Sequence, residues 1–159
     1  ITYTSDMFVQ PSASTATRSS RSASVPAAGE MKISAVSGNS VSSCSLLRSA
    51  GASDAYNAKE DIVSLIDEDF MPKVKVYTVA DKRALDIQKM SNATRVGLGF
   101  MVKDASQQTE FTLDYGSNWK GWTLVDKQTG KRYLLDGTSL TVNAGAMKSN
   151  DGRFYLVKE

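Results

Sequence analysis

The sequence predicts an all-β protein: an antiparallel two-sheet sandwich, jelly-roll or immunoglobulin-like, with one short helix near residues 58–69. Three observations lead there. From Met31 onward, apolar residues recur with a period of two in short runs. Turn signals separate those runs at close spacing, which gives roughly ten strands and favours a sandwich over a helix-covered sheet. Only one stretch follows helical spacing instead.

Taken in order, ITYTSDMFV (residues 1–9) has strand-forming residues. PSASTATRSSRSASVPAAG (residues 11–29) is biased to small polar residues and reads as a loop or linker, or alternatively as a pair of small-residue strands lying on a sheet face. The chain therefore divides into an N-terminal strand and linker over 1–29 and a β-domain over 30–159. Met31 to Val36 alternates and stops at Gly38-Asn39, a turn signal. In Asn57-Ala-Lys-Glu60 an N-cap residue precedes a glutamate by three, as in a capping box, and Ile62, Val63, Leu65 and Ile66 follow at helical spacing until Asp67-Glu-Asp69 and Pro72. That is the one helix. Lys73 to Val79 places Val74, Val76 and Thr78 on one face, then turns at Ala80-Asp-Lys-Arg83 and brings Leu85 and Ile87 together. Thr94 to Val102 puts Val96, Leu98, Phe100 and Val102 on one side. Gly97 and Gly99 lie on the other, where something must pack close or the strand must bend. Phe111, Leu113 and Tyr115 oppose Glu110, Thr112 and Asp114. Strands around the Lys127-Gln-Thr-Gly130 turn, at Ser139 to Val142 and at Arg153 to Val157 complete the set. The last has apolar character on both faces, which places it inside a sheet rather than at an exposed edge.

Composition narrows the chemistry. The 159 residues suffice for one domain with a substantial core, and the formal charge of +2 gives no electrostatic pull toward nucleic acid or anionic membrane. No apolar run is long enough to span a bilayer as a helix. The absence of histidine excludes Ser-His-Asp and Cys-His catalysis and His-ligated zinc. Cys44 is the single cysteine, flanked by serines and leucines, and reads as a buried structural thiol. Because the chain opens on Ile1, it reads as a processed product or a piece of something longer.

Among residues that could carry function, Trp122 shares a strand face with Leu124 and belongs to the core. Trp119, in the turning segment Gly116-Ser-Asn-Trp-Lys120, is the ring that could stack on a ligand, with Tyr115 or Tyr56 beside it. Glu110 and Asp114 share a strand face but lie about 13 Å apart, beyond either hydrolytic spacing, so they form no glycosidase pair. Asp81, Asp126, Asp136 and Asp151 sit beside turn signals and serve local hydrogen bonding. Asp67-Glu-Asp69, with Glu60 and Asp61 nearby, fits no calcium loop, and Gly97-Leu-Gly99 lacks the rest of a phosphate-binding motif. No catalytic residue, metal site or cofactor is expected.

In order along the chain, Ala52 to Asp61, Val76 to Ile87, Val96-Gly-Leu-Gly99, Leu124 to Leu135 and Gly152 to Leu156 together resemble the C-terminal β-sandwich regions of large secreted or surface, adhesin-like proteins of Bacteroidetes. The resemblance covers residues 28–159 and marks turns and strand ends. It implies a secreted or cell-surface location outside the outer membrane, and a non-enzymatic role in adhesion, presentation or assembly. Its partners would be other domains of the same longer polypeptide, and a surface glycan or protein. A carbohydrate-binding module using the loop aromatics is the alternative. A type IX secretion sorting domain is a third, from whose pattern this chain departs by having only Lys158-Glu159 after its last strand.

Overall fold

The computed structural model describes residues 29–64 and 73–158. The strand and linker expected over 1–29 (save Gly29), the acidic run at 67–69 and the latter part of the expected helix lie outside those residues. Among the described residues there are eleven strands: β1 (Glu30–Ser37), β2 (Ser40–Arg48), β3 (Ile62–Val63), β4 (Val74–Ala80), β5 (Arg83–Met90), β6 (Arg95–Val102), β7 (Gln108–Tyr115), β8 (Trp122–Asp126), β9 (Arg132–Leu134), β10 (Ser139–Ala146) and β11 (Asn150–Lys158). A 3-10 turn, Ser117–Trp119, joins β7 to β8.

The all-β expectation holds, but the hydrogen bonds draw one sheet rather than a two-sheet sandwich. Its order is β10-β7-β1-β2-β5-β4-β6-β11-β8-β9, with β3 attached to β5. The pairing is mixed, because β2 and β5 run parallel (Ser45 opposite Ile87 through Arg48 opposite Met90) while the other described pairs are antiparallel. The sheet curls on itself into a half-barrel. Phe111 of β7 and Phe154 of β11 are six places apart in the strand order, about 29 Å in a flat sheet at the usual strand spacing. Their rings nevertheless lie 4.8 Å apart, and both touch Phe100 of β6, at 5.2 and 5.6 Å. Only a sheet bent around its own apolar face can bring them together. One continuous core results, including Met31, Ile33, Leu46, Val76, Leu98, Leu113, Leu124 and Leu156, all without exposed surface. A sandwich and a curled sheet bury the same alternate residues, so both satisfy the same pattern.

The helix near 58–69 does not form over its described part. Asn57 begins a single turn, its carbonyl accepting from the amides of Glu60 and Asp61 at 2.9 and 2.8 Å. The acid that reaches back to the Asn57 amide is Asp61, not Glu60. Glu60 instead accepts from the Ser53 amide, and the second oxygen of Asp61 accepts from the Lys89 amide on β5. Asp61 thus ties the turn to the sheet, and Ile62 and Val63 continue as β3 beside β5.

Gly99 faces what its position implied. Tyr77 lies directly opposite on β4, and a Cβ on Gly99 would stand 2.0 Å from the ring. The tyrosine crosses over β6 at this gap and its hydroxyl donates to Asp151, in a stretch of β11 that bulges away from β6. Burial, then the Asp151 bond and charge, push the Tyr77 phenol well up. The serines of β2 have a comparable use, since the hydroxyls of Ser40 and Ser42 accept from the amides of Lys73 and Val76 where β5 does not reach. The last strand is integral, as its two apolar faces require: β11 pairs β6 on one side and β8 on the other.

Candidate functional site

The two tryptophans open the site. After β7, Gly116 donates to the Glu30 carbonyl and the chain tightens into the 3-10 turn, with the Trp119 amide donating back to Gly116. Gly121 then adopts a φ of +90°, a left-handed value that suits glycine, and releases the chain into β8. This reversal turns the Trp119 ring inward. Trp122 is buried as its strand position requires, but Trp119 is equally so, with no exposed surface on either ring. Their centroids lie 4.8 Å apart at 57°.

The stacking platform of Trp119, Tyr115 and Tyr56 therefore does not assemble. Tyr115 is a core residue whose hydroxyl accepts from the Gly137 amide. Tyr56 lies apart, beside the β4–β5 turn: its amide donates to Asp81, and the Arg83 guanidinium covers one ring face at 4.6 Å. The physical reason is local, since a turn ending on a left-handed glycine points Trp119 under the sheet rather than over it.

What approaches the indoles is a cation. Arg48, at the end of β2, holds its guanidinium 5.7 Å from the Trp119 centroid and 5.4 Å from that of Trp122. One terminal nitrogen, Nη2, donates to the Ser91 carbonyl at 3.1 Å. The other, Nη1, is buried without a hydrogen-bond partner, and so are the indole Nε1 atoms of both tryptophans. Three buried donor nitrogens of this cluster thus lack a hydrogen-bond partner. Cation–π attraction offsets part of this at about 0.5–2 kcal/mol, but a buried donor left unpaired costs about 1–3 kcal/mol.

A pocket of about 360 Å³ adjoins this cluster, lined by Gly29, Glu30, Leu47, Arg48, Ser49 and Lys89. It forms where the β1–β2 hairpin ends and β5 runs alongside. The Arg48 amide donates to Gly29 at 2.7 Å, and a Cβ on Gly29 would meet the Arg48 carbonyl oxygen at 2.6 Å, so no larger residue fits there unshifted. The parallel register sets Lys89 opposite Leu47. Glu30 is likewise opposite Leu47 on β1, so Glu30, Leu47 and Lys89 share one face of the sheet, while the Arg48 side chain lies on the other, with the indoles. Arg48 and Lys89 escape sequence reasoning because nothing local marks them: Arg48 lies far along the chain from Trp119, and only the curl of the sheet unites them.

A second pocket, of about 320 Å³, lies between β10 and β11 and includes Gln128, Met147, Lys148 and Arg153. Its arginine is already engaged. Arg153 holds Asp126 through two 3.0 Å bonds, and its Nη1 donates to the Ala144 carbonyl. Asp126 also accepts from the Gln128 amide and the Thr129 hydroxyl, the turn role expected of it. Burial pushes the Asp126 carboxyl up, but the Arg153, Thr129 and Gln128 bonds outweigh it and hold the group below the ordinary carboxylate range.

Other reactive groups are bound into the framework in the same way. Cys44 is buried, and that burial, aided by Asp86, pushes its thiol far up, away from the nucleophilic thiolate. Asp54 accepts from the Ser91 and Asn92 amides, and Asp104 from Ser106. Glu110 and Asp114 stay on β7, with Glu110 opposite Val36 and Asp114 opposite Lys32. Among the described residues no cluster of three acids or cysteines is placed to hold a metal ion. Chemically, the unpaired donors around Arg48 call for an acceptor, and the adjoining pocket carries Glu30, Ser49 and Lys89 on its wall. Compared with known protein families, curated proteins and solved structures, the chain matches none.

Proposed function

We propose that this chain is a non-enzymatic β-module of an exported bacterial surface protein, serving attachment, presentation or assembly at the cell surface, with the pocket lined by Glu30, Leu47 and Lys89 as its binding face. The carrying observation is the division of labour among its polar groups. Asp61 and Asp126 are spent on turns and an internal ion pair and the Cys44 thiol on burial, while the pocket at the end of β2 keeps Glu30 and Lys89 on its wall. The resemblance to adhesin-like regions supplies the location and the expected neighbours, further domains of a longer polypeptide. Antibodies to the purified module should label intact cells of the organism that makes it, and external protease should remove the label. Labelling only after lysis would overturn the surface role.

A further inference from the structure

The geometry points to a partner: we propose that the free edge of β10 pairs antiparallel with the β10 edge of a second copy of this chain, across a two-fold axis at Thr141. The pairing does not involve the pocket at the end of β2, and it is tested on the purified chain.

The hydrogen-bond parity of β7 defines the edge. The Gly116 amide donates to the Glu30 carbonyl and the Tyr115 amide to the Thr138 carbonyl, so even-numbered residues of β7 bond to β1 and odd-numbered ones to β10. Leu113 and Phe111 stand opposite Leu140 and Val142, which therefore turn their backbone groups toward β7. Ser139, Thr141 and Asn143 turn theirs away from it. Among the described residues β7 is the one strand that pairs with β10, so these outward N–H and C=O groups meet no other strand. The far end is closed differently. The register slips between Asn143 and Gly145, where φ is +72°, and Arg153 donates to the Ala144 carbonyl. The open window is thus residues 139–143.

The two ends of the sheet differ in how they are protected. At one end β9 has three residues, with Lys131 and Arg132 at its start, and a short charged strand discourages edge pairing. At the other, β10 has eight residues, and no charged residue occurs from Thr138 to Met147. Such a neutral edge meets its own copy without like-charge repulsion. An antiparallel pair centred on Thr141 uses every outward group of the window: Ser139 bonds Asn143 of the second copy, Thr141 bonds Thr141, and Asn143 bonds Ser139. On the core side Leu140 then meets Val142 of the second copy, apolar against apolar. On the other side the exposed Ser139, Thr141 and Asn143 meet one another. Moving the axis by one residue either way leaves one end of the window unpaired. Each copy then ends on its protected β9 edge, so the assembly closes at two.

Sedimentation velocity on the full chain tests this. Five residues of edge make a small contact, so monomer should give way to dimer between about 10 µM and about 1 mM. Thr141→Lys sets two like charges on the axis and should weaken self-association about tenfold or more, as should Thr141→Glu. Thr141 is exposed, so both variants should melt like the wild type. Mixed in equal amounts, the two variants should pair with each other at least as well as the wild type does with itself. In hydrogen exchange, the amides of Ser139, Thr141 and Asn143 should exchange freely in dilute protein and slow as the dimer forms. A wild-type chain that stays monomeric up to about 1 mM with a normal melting transition would overturn the pairing. So would charge variants that associate like the wild type, or that do not pair when mixed. Protection of those three amides in the monomer would show that the chain itself covers the edge, and growth past the dimer would refute the closed pair.

Discussion

Replacing Gly99 with alanine should expose how tightly Tyr77 is held. The added Cβ would stand 2.0 Å from Cε2 and 2.6 Å from Cζ of that ring. Carbon atoms settle at about 3.5–4.0 Å, so the ring must retreat by about 1.5 Å or more. It has little room to do so, because Tyr77 is 4% exposed and its hydroxyl is bonded to Asp151. Giving up a hydrogen bond to a carboxylate costs about 1.5–3 kcal/mol. Alanine in place of a strand glycine returns about 0.5–1 kcal/mol. The net loss expected for Gly99→Ala is therefore about 1–2 kcal/mol. In a Tyr77→Ala background the obstacle is gone, and the same substitution should stabilise by about 0.5–1 kcal/mol. Urea titrations of the four proteins in this double-mutant cycle read the change of sign directly. An equal loss in both backgrounds would show that Tyr77 is not what fills the gap. No loss with Tyr77 present would show that the ring moves aside freely and that the Asp151 bond holds nothing.

Three further outcomes are expected. Trp119→Ala and Trp122→Ala should each cost about 3–5 kcal/mol, since both rings are fully buried; a clearly smaller loss for Trp119, by urea titration, would mean that its ring is at the surface. Asp126 has a lowered carboxyl in the folded protein, so the stability it confers is complete above the unfolded value of about 3.9 and is lost as pH falls through the folded value. Asp126→Asn should therefore lower stability at neutral pH and flatten the acid limb, and an unchanged acid limb in urea titrations at pH 2–5 would refute this. Cys44, buried with a raised thiol, should react with a disulfide reagent only as fast as the chain unfolds, and rapid labelling in native buffer would contradict its placement.

Much of the strand set is legible in the sequence because alternation is a local property. Val96, Leu98 and Phe100 announce a buried face wherever the strand is placed, and Gly99 announces a close neighbour without naming it. The curl is not local. Nothing near Phe111 indicates that its ring meets Phe154 across the interior, and no short pattern distinguishes two facing sheets from one bent sheet. The signal at Asn57 is a different case. A single turn does form there, but Asp61 finds a sheet amide to cap, and Ile62 and Val63 find β5, before a second turn can follow. Tertiary pairing overrides a local helix start. At the candidate site the tryptophans are conspicuous in sequence but misleading in role, while Arg48 becomes significant only through the curl that carries the end of β2 to the Trp119 turn.

The placement of β11 between β6 and β8 has a consequence for how the chain is made. Synthesis delivers β6 and β8 well before residues 150–158 emerge. Throughout that interval each presents an unpaired edge, and Leu98, Phe100 and Leu124 lack the Phe154 and Leu156 that cover them later. Hairpins such as β1–β2 can close at once, but the final shape waits for the last segment to wedge between two strands already present. Open edges of this kind recruit other chains. The β-domain is therefore most vulnerable to aggregation just before residues 150–158 emerge, and a partner that shielded β6 and β8 until then would raise the yield of folded product.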